Sequence, residues 1–431
     1  MEINAYKSLL SGSRNFHKII MEEENQEEQW MEDKSGMVDC DVALSEKCIE
    51  KMQNCEHFLD DIQEAHGDDW PDFSVSFFYF FLNECSSETD DFWQVVNGLL
   101  RREQNTIRTV QFGIVGKIFD MLPSKFEYLV KVLSTEIGVD YFLNSNGIYY
   151  LYKYACDGYE RYFVYIAEIL YLISKKSFEY FMMMETPVTV IFDKLFLFND
   201  KNISKLLMKS IKKSLLNSSA EASTFFGNYI LNIFDIIIGK NEINYLIYDI
   251  FSIISKRYEV KDLDKIIFTG INLLNDGNEK LSISFNIFFQ NLWERISVNS
   301  EKYTDYYQKL FYQIENAKYD LKMNSMNTLI MISSNCSPEL QEELLRLGQL
   351  NENASFLSIS IPIQLLTKIF ISTISIIQYL QNTLQIDKYI GVLNFIYNEI
   401  DQQKFTKHPH FDIRSTSLSL ISLLNNISSK T

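Results

Sequence analysis

The residue types best suited to bind a metal lie near the start of the chain, at Cys40, Cys48, Cys55, His57 and His66. Thiolates and imidazoles are the usual zinc ligands, and zinc sites bring them together in close C-x2-C pairs. This set contains no such pair, so we interpret the cysteines as small buried thiols on a helix. Near the other end, His408 and His410 flank Pro409, a pattern that favours a turn before the last helix over a metal site.

The sequence contains none of the common catalytic motifs that we searched for. It lacks G-x-S-x-G, H-E-x-x-H, G-x-x-x-x-G-K-S/T and G-x-G-x-x-G, which are the patterns that build hydrolase, metalloprotease and nucleotide-binding sites. Pairs of acids such as Asp60-Asp61 and Asp68-Asp69 are typical of solvated surfaces, because carboxylate catalysis needs a pocket that shifts a pKa. We therefore predict a protein that is not an enzyme and needs no cofactor. An enzyme with an unrecognised site stays open and would show turnover by the pure protein.

One stripe of basic side chains stands out, at Lys205, Lys209, Lys212 and Lys213. Spacings of three and four residues place such side chains on one face of a helix. A solvated face is the ordinary interpretation. The sharper hypothesis is that these lysines bind an acidic partner peptide or the acidic start of the chain itself.

Two aromatic clusters raise the same choice between core and interface. An unbroken run, Phe77 to Phe81, predicts a buried packing helix, with an exposed patch for a partner as the alternative. Seven tyrosines between Tyr149 and Tyr165 favour packing between helices, although tyrosine is also enriched at interfaces.

Composition indicates the elements that must position these residues. The 431 residues include 15 Gly and 6 Pro, about 5% in total where an average protein has roughly 12%. Few tight turns can be built without Gly and Pro, so the sequence favours long helices over a β-sandwich. Ile, Phe, Tyr and Val favour strands, but their three- and four-residue spacing outweighs that propensity. We predict an all-α fold.

Charge divides the chain unevenly. Residues 1–72 contain 19 acidic and 6 basic residues, a net of −13 out of −17 for the whole chain. This segment predicts an acidic, partly disordered arm, residues 1–72, ahead of a helical domain over residues 73–431. The negative charge opposes binding to phosphate backbones, so we expect no nucleic-acid partner.

Six cysteines without close pairs, and an amino terminus without an apolar signal region, favour a reduced, cytoplasmic location, with a nuclear one as the alternative. The charge-free stretch Ile369 to Ile386 is about as long as a bilayer span. It also carries several Gln and Asn side chains. We predict a buried helix there and no membrane span.

Helix-period segments alternate with polar breaks from residue 86 onward. Apolar residues from Ile107 to Met121 predict one amphipathic helix, Pro123 and Ser124 a turn, and the stripe from Phe126 to Leu133 a second helix. Further breaks recur 42, 40, 37 and 41 residues apart, each interval long enough for two or three helices. They fall at Asp157-Gly158, Asn199-Asp200, Gly239-Lys240, Asp276-Gly277 and Ala317-Lys318. A period of this length predicts a repeat architecture.

The string NAKYDLKMNSMNTLIMISSNCSPELQEELLRLGQL, residues 316–350, resembles an armadillo repeat. In that layout Asp320 to Met323 is a short first helix and Met326 to Ile332 the second. Ser333 to Pro338 forms the turn, and Leu340 to Leu347 begins the third helix, closing on Gly348. A fainter version surrounds Gly147.

The end of the chain, HPHFDIRSTSLSLISLLNNIS, resembles the second helix of a HEAT repeat, with Asp412 and Arg414 in the family's Asp-x-Arg positions. Both resemblances imply an α-solenoid, a superhelix of stacked helical hairpins whose concave surface binds a protein or an extended peptide.

Armadillo proteins that bind nuclear signals carry Trp and Asn on successive inner helices. This chain offers Ile330 and Ser334 in the matching stretch, which argues against that ligand. We therefore expect a non-catalytic interaction scaffold or adaptor whose partner and oligomeric state the sequence leaves open. The alternatives are a transport receptor that binds a GTPase, and a regulatory subunit of a phosphatase or kinase.

Overall fold

A computed structural model describes most of the chain beyond residue 72. The described residues are 73, 75–84, 87, 89–176, 185–216, 220–238, 242–256, 262–274, 278–296 and 302–428. The predicted acidic arm, residues 1–72, lies outside them, and so do Cys40, Cys48, Cys55, His57 and His66. No strand occurs among the residues described, so the prediction of an all-α fold is confirmed for this part of the chain.

The chain divides into two compact units, the first ending at Tyr154 and the second beginning at Ala155. This boundary lies just before the predicted break at Asp157-Gly158, where Gly158 has a φ of 74°. Seven helices begin among the described residues of the first unit. They are α1 Val75–Glu84, α2 Asp90–Leu99, α3 Glu103–Gln111, α4 Ile114–Asp120, α5 Phe126–Val132, α6 Glu136–Asn144 and α7 Gly147–Cys156.

Aromatic rings fill the core of the first unit. The Phe77 ring stacks on Phe73 with centroids 4.2 Å apart, and the Phe81 ring stacks on Phe92 at 4.7 Å. The predicted packing role of the Phe77 to Phe81 run is confirmed for Phe77, Phe78 and Phe81, which are buried, whereas Tyr79 is 61% exposed. The side chain of Phe80 lies outside the described residues.

The prediction of a single helix from Ile107 to Met121 was wrong. Helix α3 ends at Gln111 and α4 begins at Ile114. Gly113, between them, has a φ of 91° in the left-handed region, which glycine adopts at little cost and which no α-helix can contain. The apolar spacing continues across the break, so the spacing alone did not reveal it.

Fourteen helices lie in the second unit among the described residues. They are α8 Phe163–Lys176, α9 Glu185–Leu197, α10 Lys201–Leu216, α11 Ala220–Ile237, α12 Asn244–Ile254, α13 Leu263–Leu273, α14 Glu279–Ile296, α15 Thr304–Asn316, α16 Tyr319–Ser334, α17 Pro338–Leu347, α18 Gln349–Phe356, α19 Ile363–Asn382, α20 Ile390–Gln402 and α21 Phe411–Ser428.

The predicted breaks agree with these helix ends. Asn199-Asp200 separates α9 from α10, and Asp200 caps α10 by accepting a 2.9 Å hydrogen bond from the Ile203 amide. Ala317-Lys318 separates α15 from α16. The breaks at Gly239-Lys240 and Asp276-Gly277 lie outside the described residues.

Alternate helices of the second unit pack on one another in chain order. Helix α8 contacts α10, which contacts α12, and the series continues through α14, α16, α19 and α21. We call these seven helices the ladder. The helices between them form a second set, in which α11 and α15 pack against the ladder and α13 accepts a hydrogen bond from Tyr248 of α12.

In the region that resembles an armadillo repeat, the predicted boundary between the first and second helices was wrong. Asp320 to Met323 and Met326 to Ile332 belong to one uninterrupted helix, α16, because no Gly or Pro separates them. The predicted turn and third helix are confirmed. Ser337 caps α17 through a 3.2 Å bond from the Leu340 amide, and Gly348 ends it with a φ of 107°.

Helix α19 contains most of the predicted stretch Ile369 to Ile386 and ends at Asn382. By length and composition alone it could cross a membrane, but half of its apolar window is buried inside the fold. Ile369, Phe370 and Ile377 are buried, whereas Lys368 and Ile371 are exposed. Helix α19 is therefore an amphipathic ladder helix whose apolar face packs on α16 and α21.

Candidate partner-binding surface

Helix α10 carries all four lysines that the sequence singles out. Most of its apolar side chains, including Leu207, Met208 and Ile211, are buried, which fixes the rotation of the helix. Lys205 and Lys213 are exposed and Lys209 is half-buried. The structure thus places the stripe on a ladder helix, between α8 and α12.

Lys212 differs from the other three lysines. Its Nζ lies 2.5 Å from Oδ2 of Asp249 on α12, and both side chains are partly covered. Lys201, one turn before the stripe, pairs with Glu242, which precedes α12. Lys205, Lys209 and Lys213 form no ion pair with the described residues.

A line of polar side chains continues along the ladder beyond α12. Gln290 on α14 donates to Thr328 on α16 at 2.7 Å and accepts from the Asn327 amide at 3.2 Å. Asn327 in turn accepts a 2.7 Å bond from Lys368 on α19. Gln290 and Asn327 are half-buried and Lys368 is exposed, whereas Thr328 is buried. The ladder therefore presents amides that are already bonded to one another.

Sequence reasoning missed this polar line. Its members Gln290, Asn327 and Lys368 lie 37 and 41 residues apart, which matches the spacing of the polar breaks. A search for polar residues that recur with the same period as the breaks would have found them. A similar bond joins Asn291 to the Ser252 carbonyl, 39 residues away.

Beneath this surface, a buried polar cluster joins α14, α15 and α16. Asn286 accepts a 2.8 Å bond from the Tyr306 hydroxyl and donates to Ser325 at 3.1 Å. Ser325 donates to Gln313 at 2.8 Å. Complete burial raises the pKa of Tyr306 well above its usual value. Since the members satisfy one another, the cluster fixes the register between helices.

A second feature is a groove between α9 and α11, with a volume of about 760 Å³. Its walls are mainly apolar and include Phe196, Leu197, Ile233 and Ile236. Asp193 is the only charged side chain among the lining residues that are described. Neither helix belongs to the ladder.

The described residues bring together no group of three or more His, Cys, Asp and Glu side chains that could hold a metal ion. Burial raises the pKa of the Cys336 thiol to about 11, so it stays protonated at neutral pH and is a poor nucleophile. His408 and His410 lie in the turn before α21, as predicted. Arg414 donates to the His408 carbonyl at 3.1 Å.

The tyrosine-rich segment has mixed surroundings. Tyr154 is buried and donates to the Leu122 carbonyl at 3.0 Å. Tyr149 and Tyr159 are 62% and 42% exposed. Core packing therefore accounts for only part of this cluster.

No protein-family model matches the chain, and no curated protein matches it. A solved structure that is similar to it is the crystal structure of an engineered protein from a structural genomics consortium. The two share 12% identity with a TM-score of 0.57, and the match covers 81% of this chain and 98% of the other. At that identity the similarity concerns the fold alone.

Proposed function

We propose that this protein is a non-catalytic scaffold or adaptor built as an α-solenoid of the armadillo or HEAT type. The observation that supports the proposal is the ladder, in which each helix contacts the next one about 40 residues further along the chain. A helical hairpin that cannot bury its apolar face alone gains its core by stacking on its neighbours. Stacking also lines up one face of every ladder helix into a continuous surface.

The ligand we propose for this surface is an acidic segment of another protein. Lys205, Lys209 and Lys213 supply positive charge that no described residue neutralises, in a chain of net charge −17. Lysine ammonium groups bind carboxylates through charge-assisted hydrogen bonds. The self-bonded amides of Gln290 and Asn327 do not offer a peptide the free hydrogen-bonding groups that a Trp-Asn ladder would provide.

We place this function in the cytoplasm, in agreement with the lack of paired cysteines in the sequence. The partner would be a protein or peptide and no cofactor would be needed.

The test is affinity purification of the full chain with quantitative mass spectrometry, followed by binding of each captured protein to the pure chain. The variant carries Lys205→Glu, Lys209→Glu and Lys213→Glu. Its control carries Lys388→Glu, Lys404→Glu and Lys407→Glu, three exposed lysines with the same total charge change. We omit Lys212 because its reversal would break the pair with Asp249.

We expect a partner that binds the wild type and the control equally and binds the α10 variant at least tenfold more weakly. Equal binding to all three proteins would show that the α10 lysines are not the site. Turnover of a substrate by the pure chain would overturn the non-catalytic assignment.

A further inference from the structure

We infer that the groove between α9 and α11 is a second docking site, which binds an amphipathic helix carrying one basic side chain from a partner protein. The site is separate from the surface proposed above, because every described lining residue lies on α9 or α11 and none on the ladder. It would let one scaffold hold two partners of opposite charge.

The first support is the shape of the groove. On α9 the lining positions are 189, 193, 196 and 197. On α11 they are the pairs 224 and 225, 228 and 229, and 232 and 233, followed by 236, so they recur every four residues. Each wall is therefore one face of a helix. Twelve residues of helix span about 18 Å, which matches about three turns of a helix lying in the groove.

The second support is exposed apolar surface at one end of the groove. Leu197 at the end of α9 is 66% exposed, and Ile236 near the end of α11 is 48% exposed. Both line the groove together with the largely buried Phe196 and Ile233. An apolar rim that continues into an apolar floor fits side chains at positions i, i+3 and i+7 of a bound helix.

The third support concerns the charge of the helix that binds in the groove. Asp193 projects from α9 on an exposed part of the wall, and its Oδ1 accepts a 2.9 Å hydrogen bond from the Tyr229 hydroxyl of α11. This bond holds the carboxylate in place across the groove. No basic residue among the described residues pairs with Asp193, and none lines the groove, so a Lys or Arg of the occupant would complete the ion pair.

The same carboxylate argues against the acidic start of this chain as the occupant. Residues 1–72 carry 19 acidic side chains against 6 basic ones, and like charges around Asp193 would repel. A partner helix with a basic residue has the complementary charge. A second copy of the chain is the remaining occupant that the experiment must distinguish.

The probe is a phage-displayed library of random 14-residue peptides selected on the full chain. We expect enriched peptides to have three apolar residues at helical spacing and one Lys or Arg. Each selected peptide is then synthesised with its basic residue and with Glu at that position. Affinities of both versions are measured by fluorescence anisotropy.

Two groove variants and one control decide the outcome. Leu197→Glu with Ile236→Glu should weaken the basic peptide at least tenfold, whereas Ile359→Glu with Leu384→Glu, two exposed apolar residues elsewhere, should change affinity less than twofold. Asp193→Lys should reverse the preference, so that the Glu version of the peptide binds more tightly. Circular dichroism melts confirm that each variant is folded.

Absence of enriched peptides would overturn the inference. So would selected peptides whose affinity is unchanged in the groove variants, or whose charge preference is unchanged by Asp193→Lys. Self-association in analytical ultracentrifugation that the Leu197→Glu, Ile236→Glu protein loses would assign the groove to a second copy. None of these results depends on the α10 lysines. The experiment can therefore overturn the proposal for the groove without affecting the proposal for the ladder surface, and the reverse also holds.

Discussion

Glu352, on α18, is half-buried in an environment that disfavours its charge. Loss of solvent raises its pKa, and the nearby carboxylate of Glu315 raises it further. A carboxyl group whose pKa is higher in the folded state destabilises the fold once the pH exceeds its unfolded pKa, because folding then opposes ionisation. Below both pKa values the group is neutral in both states and has no effect.

Glu352→Gln should therefore stabilise the protein at pH 7 and leave it unchanged at pH 3. We expect about 0.5 kcal/mol at pH 7, since solvent screens a half-exposed group, which corresponds to a rise in Tm of about 1–2 °C. Thermal melts followed by circular dichroism at the two pH values measure the difference.

Glu343, on the neighbouring helix α17, is a control for which we expect the opposite effect on stability. Arg346 donates to it at 2.7 Å and 2.6 Å, and these bonds lower its pKa. Glu343→Gln should therefore destabilise the protein at neutral pH, and the loss should disappear as the pH falls below the pKa of the folded state. The same sign for both substitutions at pH 7 would contradict this account.

At the scale of single residues, the sequence located the basic stripe but could not separate its members. Lys209 and Lys212 have similar neighbours along the chain. What distinguishes them is Asp249, 37 residues away on α12. No local pattern contains that information.

At the scale of elements, the break between α3 and α4 depends on one residue. Gly113 has a φ of 91° and open space around the position where a Cβ would be. Gly116, three residues later and inside α4, has equally open surroundings but no positive φ. The two glycines therefore differ in backbone conformation alone.

Gly113→Ala should destabilise the first unit by about 1 kcal/mol, because the left-handed conformation is strained for any residue with a Cβ. Gly116→Ala should stabilise it by about 0.5–1 kcal/mol, because alanine loses less backbone freedom in a helix. Urea titrations followed by circular dichroism measure both. Equal effects from the two substitutions would mean that α3 and α4 can join into one helix.

The elements of residues 316–350 show what local signals can predict. Pro338 and Gly348 mark the two ends of α17. The resemblance to a repeat implied both ends, and both were right because these residues act through their own backbone geometry. The same resemblance also implied that α16 is split into two helices. This split was wrong because no residue in Tyr319–Ser334 breaks a helix.

At the scale of the whole second unit, the proposed repeat architecture would make each helix depend on its immediate neighbours. Gly270 on α13 tests this dependence. A Cβ there would lie 2.1 Å from the Phe285 ring on α14 and 2.7 Å from the Tyr248 hydroxyl on α12. Gly270→Ala thus strains three adjacent helices at once.

We expect Gly270→Ala to cost about 1–3 kcal/mol, as overpacking does in cores, and to raise amide hydrogen exchange mainly in α12, α13 and α14. The increase should decline through α16 and α19 towards α21. Exchange measured by mass spectrometry tests this gradient, with Gly391→Ala on α20, where a Cβ meets open space, as the control. A uniform increase over the second unit would indicate one globular core and contradict the proposed solenoid.

The sequence by itself determined the helical class, several helix ends and the position of the basic stripe. These features depend on residues within a few positions of one another: apolar spacing of three and four, and breaks such as Asp200, Pro338 and Gly348. The scarcity of Gly and Pro also indicated a helical fold for the chain as a whole.

Only the tertiary structure decided how those helices use their surfaces. It paired Lys212 with Asp249, joined Gln290 to Asn327, and opened the groove beside Asp193. Each of these outcomes joins side chains more than 30 residues apart, and their contact depends on how whole helices stack. Local sequence patterns determine where a helix forms, whereas the packing between helices determines which side chains are in contact.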